Sequence, residues 1–264
     1  MKPDSSVVEI AGRKIQLMQG GLMQGGKGAP VLYLHSAAGE SEWSAFHAKL
    51  AEQHRVLFPM HPGFAFSGGL ESIQDMTDLA WHYVDLIEKL APQGVSVVGF
   101  SLGGWIAAEL AILRPQLVQK LVLVSSAGVR VPEANIADLF DDDLDFLRET
   151  LFSQPDSELA RRFFPTSQQD ERMLFWIRAR EATARVAWNP LLHNPRLPAH
   201  LHRIACPTLV LWGELDRLFP LPIAHYFQQH IRGARLEVLP NCGHMLPLER
   251  PEEFTRLTTE FLAG

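Results

Sequence analysis

Val95-Ser96-Val97-Val98-Gly99-Phe100-Ser101-Leu102-Gly103 is the stretch on which the reading of this chain turns. Val95 to Val98 has the composition of a strand buried in a sheet. It runs without a break into the pattern G-x-S-x-G, and helical spacing follows at once from about Leu102 to Leu113. A serine on so tight a strand-to-helix turn sits in crowded backbone, which neighbours without side chains relieve. The turn lifts the hydroxyl into the open, and the positive end of the helix points at whatever reacts there. Five letters with three fixed recur by chance; the strand before them and the helix after them make the pattern specific.

Outward from this turn, short apolar runs at Val31–Leu34, Val56–Phe58, Leu121–Val124, Thr208–Trp212 and Leu236–Leu239 read as further strands. Helical spacing is expected over Glu42–His54 with Ser41 as its cap, and over Leu79–Leu90, Ile223–Ile231 and Glu252–Leu262. Val7–Met18 alternates around Gly12-Arg13 as a hairpin does, and a glycine-rich turn is expected at Gly20-Gly21 and Gly25-Gly26. Strand and helix alternate, which predicts an α/β fold with a mostly parallel sheet covered by helices on both faces. Residues 131–202 break the alternation. They hold helical patterns rich in bulky apolar residues such as Phe163, Phe164, Phe175, Trp176 and Trp188, cut by prolines 155, 165, 190, 195 and 198. The expected organisation is a core of residues 1–130 and 203–264, with a helical cap at 131–202 inserted after the strand near 120–125.

The chain has 264 residues, 24 basic and 30 acidic, for a net charge of -6. That balance offers nothing to track phosphates, so neither nucleic acid nor an anionic membrane is expected as partner. Cys206 and Cys242 are too few for a disulfide scaffold. No run is long and apolar enough for a signal peptide or a spanning helix, and the cytoplasm is the default expectation.

A serine is a weak nucleophile until a base takes its proton and a third group orients that base. Asp216, in Trp212-Gly213-Glu214-Leu215-Asp216, follows one core strand, and His244, in Asn241-Cys242-Gly243-His244, follows the last. Loops at the carboxyl ends of parallel strands converge on one crevice, so Ser101, Asp216 and His244 form the candidate catalytic set. Glu214 is a rival acid; His35, His225 and His230 read as structural or exposed. Asp138, Asp141, Asp142, Asp143 and Asp145 point in different directions from a helix and read as solvated surface, and no metal or other cofactor is expected.

Five landmarks in order now carry a resemblance. They are Leu34-His35-Ser36-Ala37-Ala38-Gly39, His61-Pro62-Gly63-Phe64-Ala65-Phe66-Ser67, Gly99-Phe100-Ser101-Leu102-Gly103-Gly104-Trp105, Gly213-Glu214-Leu215-Asp216, and Gly243-His244 with Glu249-Arg250-Pro251-Glu252-Glu253-Phe254. The chain resembles the capped bacterial α/β-hydrolases, a group that includes carboxylesterases and the carbon–carbon hydrolases of aromatic degradation. The resemblance implies Ser101 as nucleophile, His244 as general base, Asp216 as its orienting partner, and an oxyanion hole from the backbone N–H groups of Ala37 and Leu102. Dehalogenases and epoxide hydrolases of this fold attack with aspartate, whereas position 101 is serine. Two departures stand out. Ser36 replaces the usual glycine after the histidine and offers a hydroxyl to the site, and Met60-His61 stand before Pro62-Gly63 where the family tends to have aspartate.

The expected reaction is hydrolysis of a carboxylic ester of a small to medium, modestly apolar molecule. Candidate substrate contacts are His35, Ser36, Phe100, Trp105, Trp188 and Met245. The alternative is hydrolysis of a carbon–carbon bond in a diketone or ring-cleavage product. Enzymes of that kind usually carry tryptophan after the catalytic histidine, where this chain has Met245, and an arginine in the cap, for which Arg178, Arg180 and Arg185 are candidates. A ligand-binding receptor or inactive relative is a third reading.

Overall fold

The computed structural model describes residues 2–21, 30–167 and 169–264. Gly25 and Gly26, expected in a turn, lie outside the described residues. The strands are β1 (Asp4–Ile10), β2 (Arg13–Gly20), β3 (Val31–Leu34), β4 (Val56–Pro59), β5 (Val95–Phe100), β6 (Val118–Val124), β7 (Thr208–Gly213) and β8 (Arg235–Leu239). They form one sheet in the order β1-β2-β4-β3-β5-β6-β7-β8. The β1–β2 and β2–β4 pairs are antiparallel, and every other pair is parallel. The β1–β2 turn is made by Ala11 and Gly12, both at positive φ (47° and 81°). That geometry matches the twist of a hairpin.

β5 and β7 are buried at every position, as strands covered on both faces must be. Outside residues 131–202 the α-helices are α1 (Ala45–Leu50), α2 (Met76–Leu90), α3 (Leu102–Leu113), α7 (Pro222–His230), the short α8 (Leu246–Glu249) and α9 (Pro251–Ala263); α2, α3 and α7 pack on the sheet, and α1 and α8 on α9. Two starts differ from the sequence expectation. α1 begins at Ala45, not at Glu42, because the Ser44 N–H is taken up by His47 Nδ1 at 3.1 Å, leaving Ser41 outside the helix. α2 begins one turn earlier than expected, at Met76, because Asp75 caps it through the N–H groups of Thr77 (2.7 Å) and Asp78 (3.0 Å).

Between β6 and β7 lie α4 (Leu144–Leu151), α5 (Glu158–Phe163) and α6 (Met173–Ala187), then a 3-10 stretch over Leu197–Arg203. Pro155, Pro165 and Pro190 fall in the breaks after these three helices, where the missing N–H costs nothing. Asp138, Asp141 and Asp143 accept backbone N–H groups two residues on, and Asp142 meets Arg180 at 3.1 Å. These aspartates fold their own turns. Among the described residues no helix is long and apolar enough to cross a membrane, and no group of metal-ligating side chains comes together.

Candidate active site

Ser101 is the first thing the sheet delivers. It leaves the end of β5 at φ +55°, ψ −112°, a conformation an L-residue adopts only when its surroundings enforce it. The enforcement is visible in the backbone. The Ser101 N–H donates to Val124 O at 2.9 Å, and the Ser101 carbonyl accepts from Gly104, Trp105 and Ala127. The flanking glycines serve close packing: a Cβ on Gly99 would strike the Gly103 carbonyl, and one on Gly103 would strike the Leu34 carbonyl. The turn can therefore press against the end of β3.

Two further loops close on the serine. Asp216 follows β7, with its Oδ1 accepting the N–H groups of Leu218 (3.0 Å) and Phe219 (2.8 Å). Its Oδ2 lies 2.9 Å from His244 Nδ1, and His244 Nε2 lies 3.0 Å from Ser101 Oγ. An ionised carboxylate only accepts, so Nδ1 carries the proton of the neutral ring, and Nε2 is left to accept from the Ser101 hydroxyl. The rings of Phe100 and Phe219 flank the imidazole at 5.4 and 5.3 Å. All three polar residues are buried, at 3%, 4% and 2% exposure for Ser101, Asp216 and His244. Water is largely kept off the chain of hydrogen bonds. Glu214 stands aside, accepting the Asn241 N–H at 3.1 Å.

The loop after β3 supplies a second element. The Ser36 N–H donates to Glu40 Oε2 (3.1 Å), the Ala38 N–H to Ser36 Oγ (3.0 Å) and the Gly39 N–H to Ser36 O (3.1 Å). Among the described residues no acceptor meets the N–H of Ala37, and none meets that of Leu102 at the start of α3. A free N–H is what a site for negative charge requires. The Ser36 hydroxyl, expected to face the site, instead donates to Glu40 Oε1 at 2.6 Å.

A cavity of about 470 Å³ adjoins this loop, lined by Phe100, Ala38, Gly39, Glu40 and aromatic residues including Phe163 and Trp176. A smaller one of about 20 Å³ touches Ala37, Ala38 and Thr183. Of the six expected substrate contacts, Phe100 alone lines either cavity. His35 is wholly buried and hydrogen-bonded within the core. Trp105 donates to Glu109 at 3.1 Å. Met245 is buried, and its N–H reaches Leu151 O at 3.1 Å. Trp188 is 59% exposed and lies against Phe140, because α6 ends by turning it outward. Residues 131–202 do supply lining, through Phe163, Phe175 and Trp176, all bulky residues evident in the sequence. Glu40 had no signal there beyond its place four residues after Ser36.

The remaining candidates are placed by their bonds. Arg178 donates to the carbonyls of Gly63 (3.4 Å) and Ser67 (3.1 Å), and Arg180 to those of Leu139, Phe140 and Asp141. Arg185 is exposed. Cys242 is buried and Cys206 partly so, both free thiols.

A model of the alpha/beta hydrolase family matches residues 31–257. The pimeloyl-[acyl-carrier protein] methyl ester esterase of Nitrosomonas europaea is 31% identical over 246 residues, covering 87% of this chain and 94% of its own. The 2-hydroxy-6-oxo-6-(2'-aminophenyl)hexa-2,4-dienoic acid hydrolase of Metapseudomonas resinovorans is 27% identical over 269 residues, covering 91% and 86%. Among solved structures, a serine hydrolase involved in carbazole degradation superposes with a TM-score of 0.80 at 26% identity, over 99% of both chains.

Proposed function

The chain belongs to the alpha/beta hydrolase family of enzymes, and from that premise we propose that it cleaves a carboxylic ester of a small to medium, apolar molecule through an acyl-enzyme on Ser101. The observation that carries the proposal is the single imidazole of His244, bonded at 2.9 Å to Asp216 and at 3.0 Å to Ser101. As the Ser101 hydroxyl attacks the ester carbonyl, its proton passes to Nε2, and the buried Asp216 carboxylate stabilises the imidazolium. The carbonyl oxygen, now negative, is received by the free N–H groups of Ala37 and Leu102, each worth about 3 kcal/mol to a tetrahedral intermediate. His244 then protonates the departing alcohol. Water, activated by the same ring, releases the acid. The residues named supply every proton and charge in this cycle, so no metal or organic cofactor enters it.

Residues 131–202 act in this proposal as a cap. They contribute Phe163, Phe175 and Trp176 to the lining of the 470 Å³ cavity. The similarity to the dienoic acid hydrolase supports carbon–carbon cleavage as a second reading. Against it, Arg178 and Arg180 are spent on backbone carbonyls, so neither offers a free guanidinium to an acidic substrate. The test is hydrolysis of a panel of 4-nitrophenyl acyl esters and one ring-cleavage dienoate by wild type and Ser101→Ala. Ester turnover that is lost in the variant supports the proposal; turnover of the dienoate alone selects the second reading.

A further inference from the structure

Among the described residues four charged ones line the 470 Å³ cavity: Glu40, Glu42, Arg162 and Arg172. Both arginines are committed elsewhere. Arg172 places Nε and Nη2 on Asp170, at 2.9 and 2.6 Å, and Nη1 on the carbonyl of Arg162. Arg162 meets Glu158 at 2.6 Å with its side chain 79% exposed. Glu42 is exposed, so solvent and salt screen it. The buried His47 also lines the cavity, and burial pushes it down to about 3, so it carries no charge.

Glu40 differs from all of these. Its two carboxylate oxygens are docked on Ser36, a residue only 2% exposed, through the hydroxyl at 2.6 Å and the N–H at 3.1 Å. The O–H and N–H of Ser36 favour the ionised carboxylate, while burial raises its pKa and works against that charge. It sets a negative charge on the cavity wall beside Ala38, Gly39 and Phe100.

We propose that Glu40 is a specificity-determining residue, which makes this enzyme select esters whose acyl chain is uncharged and reject those whose chain ends in a carboxylate. The inference rests on the ester-hydrolase reading for its assay but not for its physics. A carboxylate entering the cavity meets a like charge and, among the described residues, no unpaired cation, and it has lost most of its water. A neutral alkyl or aryl chain meets only the apolar wall.

Methyl hexanoate and monomethyl adipate are matched in length and differ in the terminal carboxylate. With methanol as leaving group, the acyl chain is the only part of the ester long enough to reach the cavity, which meets the site at Phe100 and Ala38. Their kcat/KM values are measured by pH-stat at pH 8 for wild type, Glu40→Gln and Glu42→Gln. Gln keeps an acceptor for the Ser36 hydroxyl. The expected result is a preference for hexanoate over adipate that falls at least about tenfold in Glu40→Gln and stays within about twofold in Glu42→Gln. A ratio unchanged by Glu40→Gln, or moved as much by Glu42→Gln, overturns the proposal. Calorimetric binding of both compounds to Ser101→Ala, with and without Glu40→Gln, gives the same comparison without turnover. Discrimination there by an enzyme inert on both esters would leave the proposal standing and refute the ester reading. Failure of Ser101→Ala to bind methyl hexanoate would overturn the proposal.

Discussion

His35 and His61 hold one another twice: the His61 N–H donates to His35 Nε2 at 3.0 Å, and His61 Nε2 donates back to the His35 carbonyl at 2.9 Å. The rings stack at 3.6 Å, the Tyr83 hydroxyl donates to His61 Nδ1, and His35 Nδ1 donates to Ser36 O at 2.8 Å. Every ring nitrogen is used, which defines both tautomers. The network anchors the loop that presents the Ala37 N–H. His61→Ala should cost about 2 to 4 kcal/mol by urea unfolding, since it orphans buried partners. It should also lower kcat on a neutral ester about tenfold or more with little change in KM. Wild-type stability together with wild-type kcat would show that the pair anchors nothing.

The same burial makes stability depend on pH. Burial pushes His35 down to about 4 and His47 and His82 to about 3, and it lowers His61 too, with help from neighbouring His35. The unfolded chain protonates histidine near 6.5, so between that value and about 4 it binds protons that the folded chain refuses. Stability is then fully present above about 6.5 and falls as pH drops toward 4, by about 3 kcal/mol for His35 alone. Urea midpoints measured from pH 8 to pH 5 should decline steeply below 6.5. A flat profile over that range would mean that these histidines take up protons without unfolding.

What the sequence reveals and conceals follows from range. The turn at Ser101 is legible because strand, glycine and helix are neighbours in the chain, and the order Ser101, Asp216, His244 follows from strand-end loops of a parallel sheet. Both departures from the family pattern, Ser36 and His61, are visible as letters, but their partners Glu40 and Tyr83 are not. Helix starts slipped by a few residues where a side chain farther on competes for the cap, as His47 does for Ser44. The outward turn of Trp188 depends on how α6 packs, which no local pattern encodes.

Asp216 and Glu214 are two residues apart, yet only one reaches the imidazole. Asp216→Asn should lower kcat about 10⁴-fold with the fold intact, because it favours the wrong tautomer of His244. Glu214→Gln should stay within a few-fold of wild type. Comparable losses in the two variants would reopen the assignment of the acid.

Glu249, at the end of α8, gathers the N–H of Ser153 (3.1 Å), the Ser153 hydroxyl and the N–H of Gly243 (3.2 Å) on one carboxylate. It thereby ties the chain after α4 to the residue before His244. Glu249→Ala should cost about 2 to 4 kcal/mol in thermal or urea unfolding and lower kcat at least tenfold. Gln, which keeps one acceptor, should restore part of both. Unchanged kcat in the alanine variant would mean that His244 is held without this tie.

Every step of the proposed hydrolysis passes through Ser101. Wild-type protein treated with diethyl 4-nitrophenyl phosphate should gain one diethylphosphoryl group, mapped by peptide mass spectrometry to Ser101, with ester hydrolysis lost in proportion. Ser101→Ala should gain none and hydrolyse no ester. Ester hydrolysis that survives in Ser101→Ala, or that is lost while the phosphoryl group sits on another residue, would contradict it.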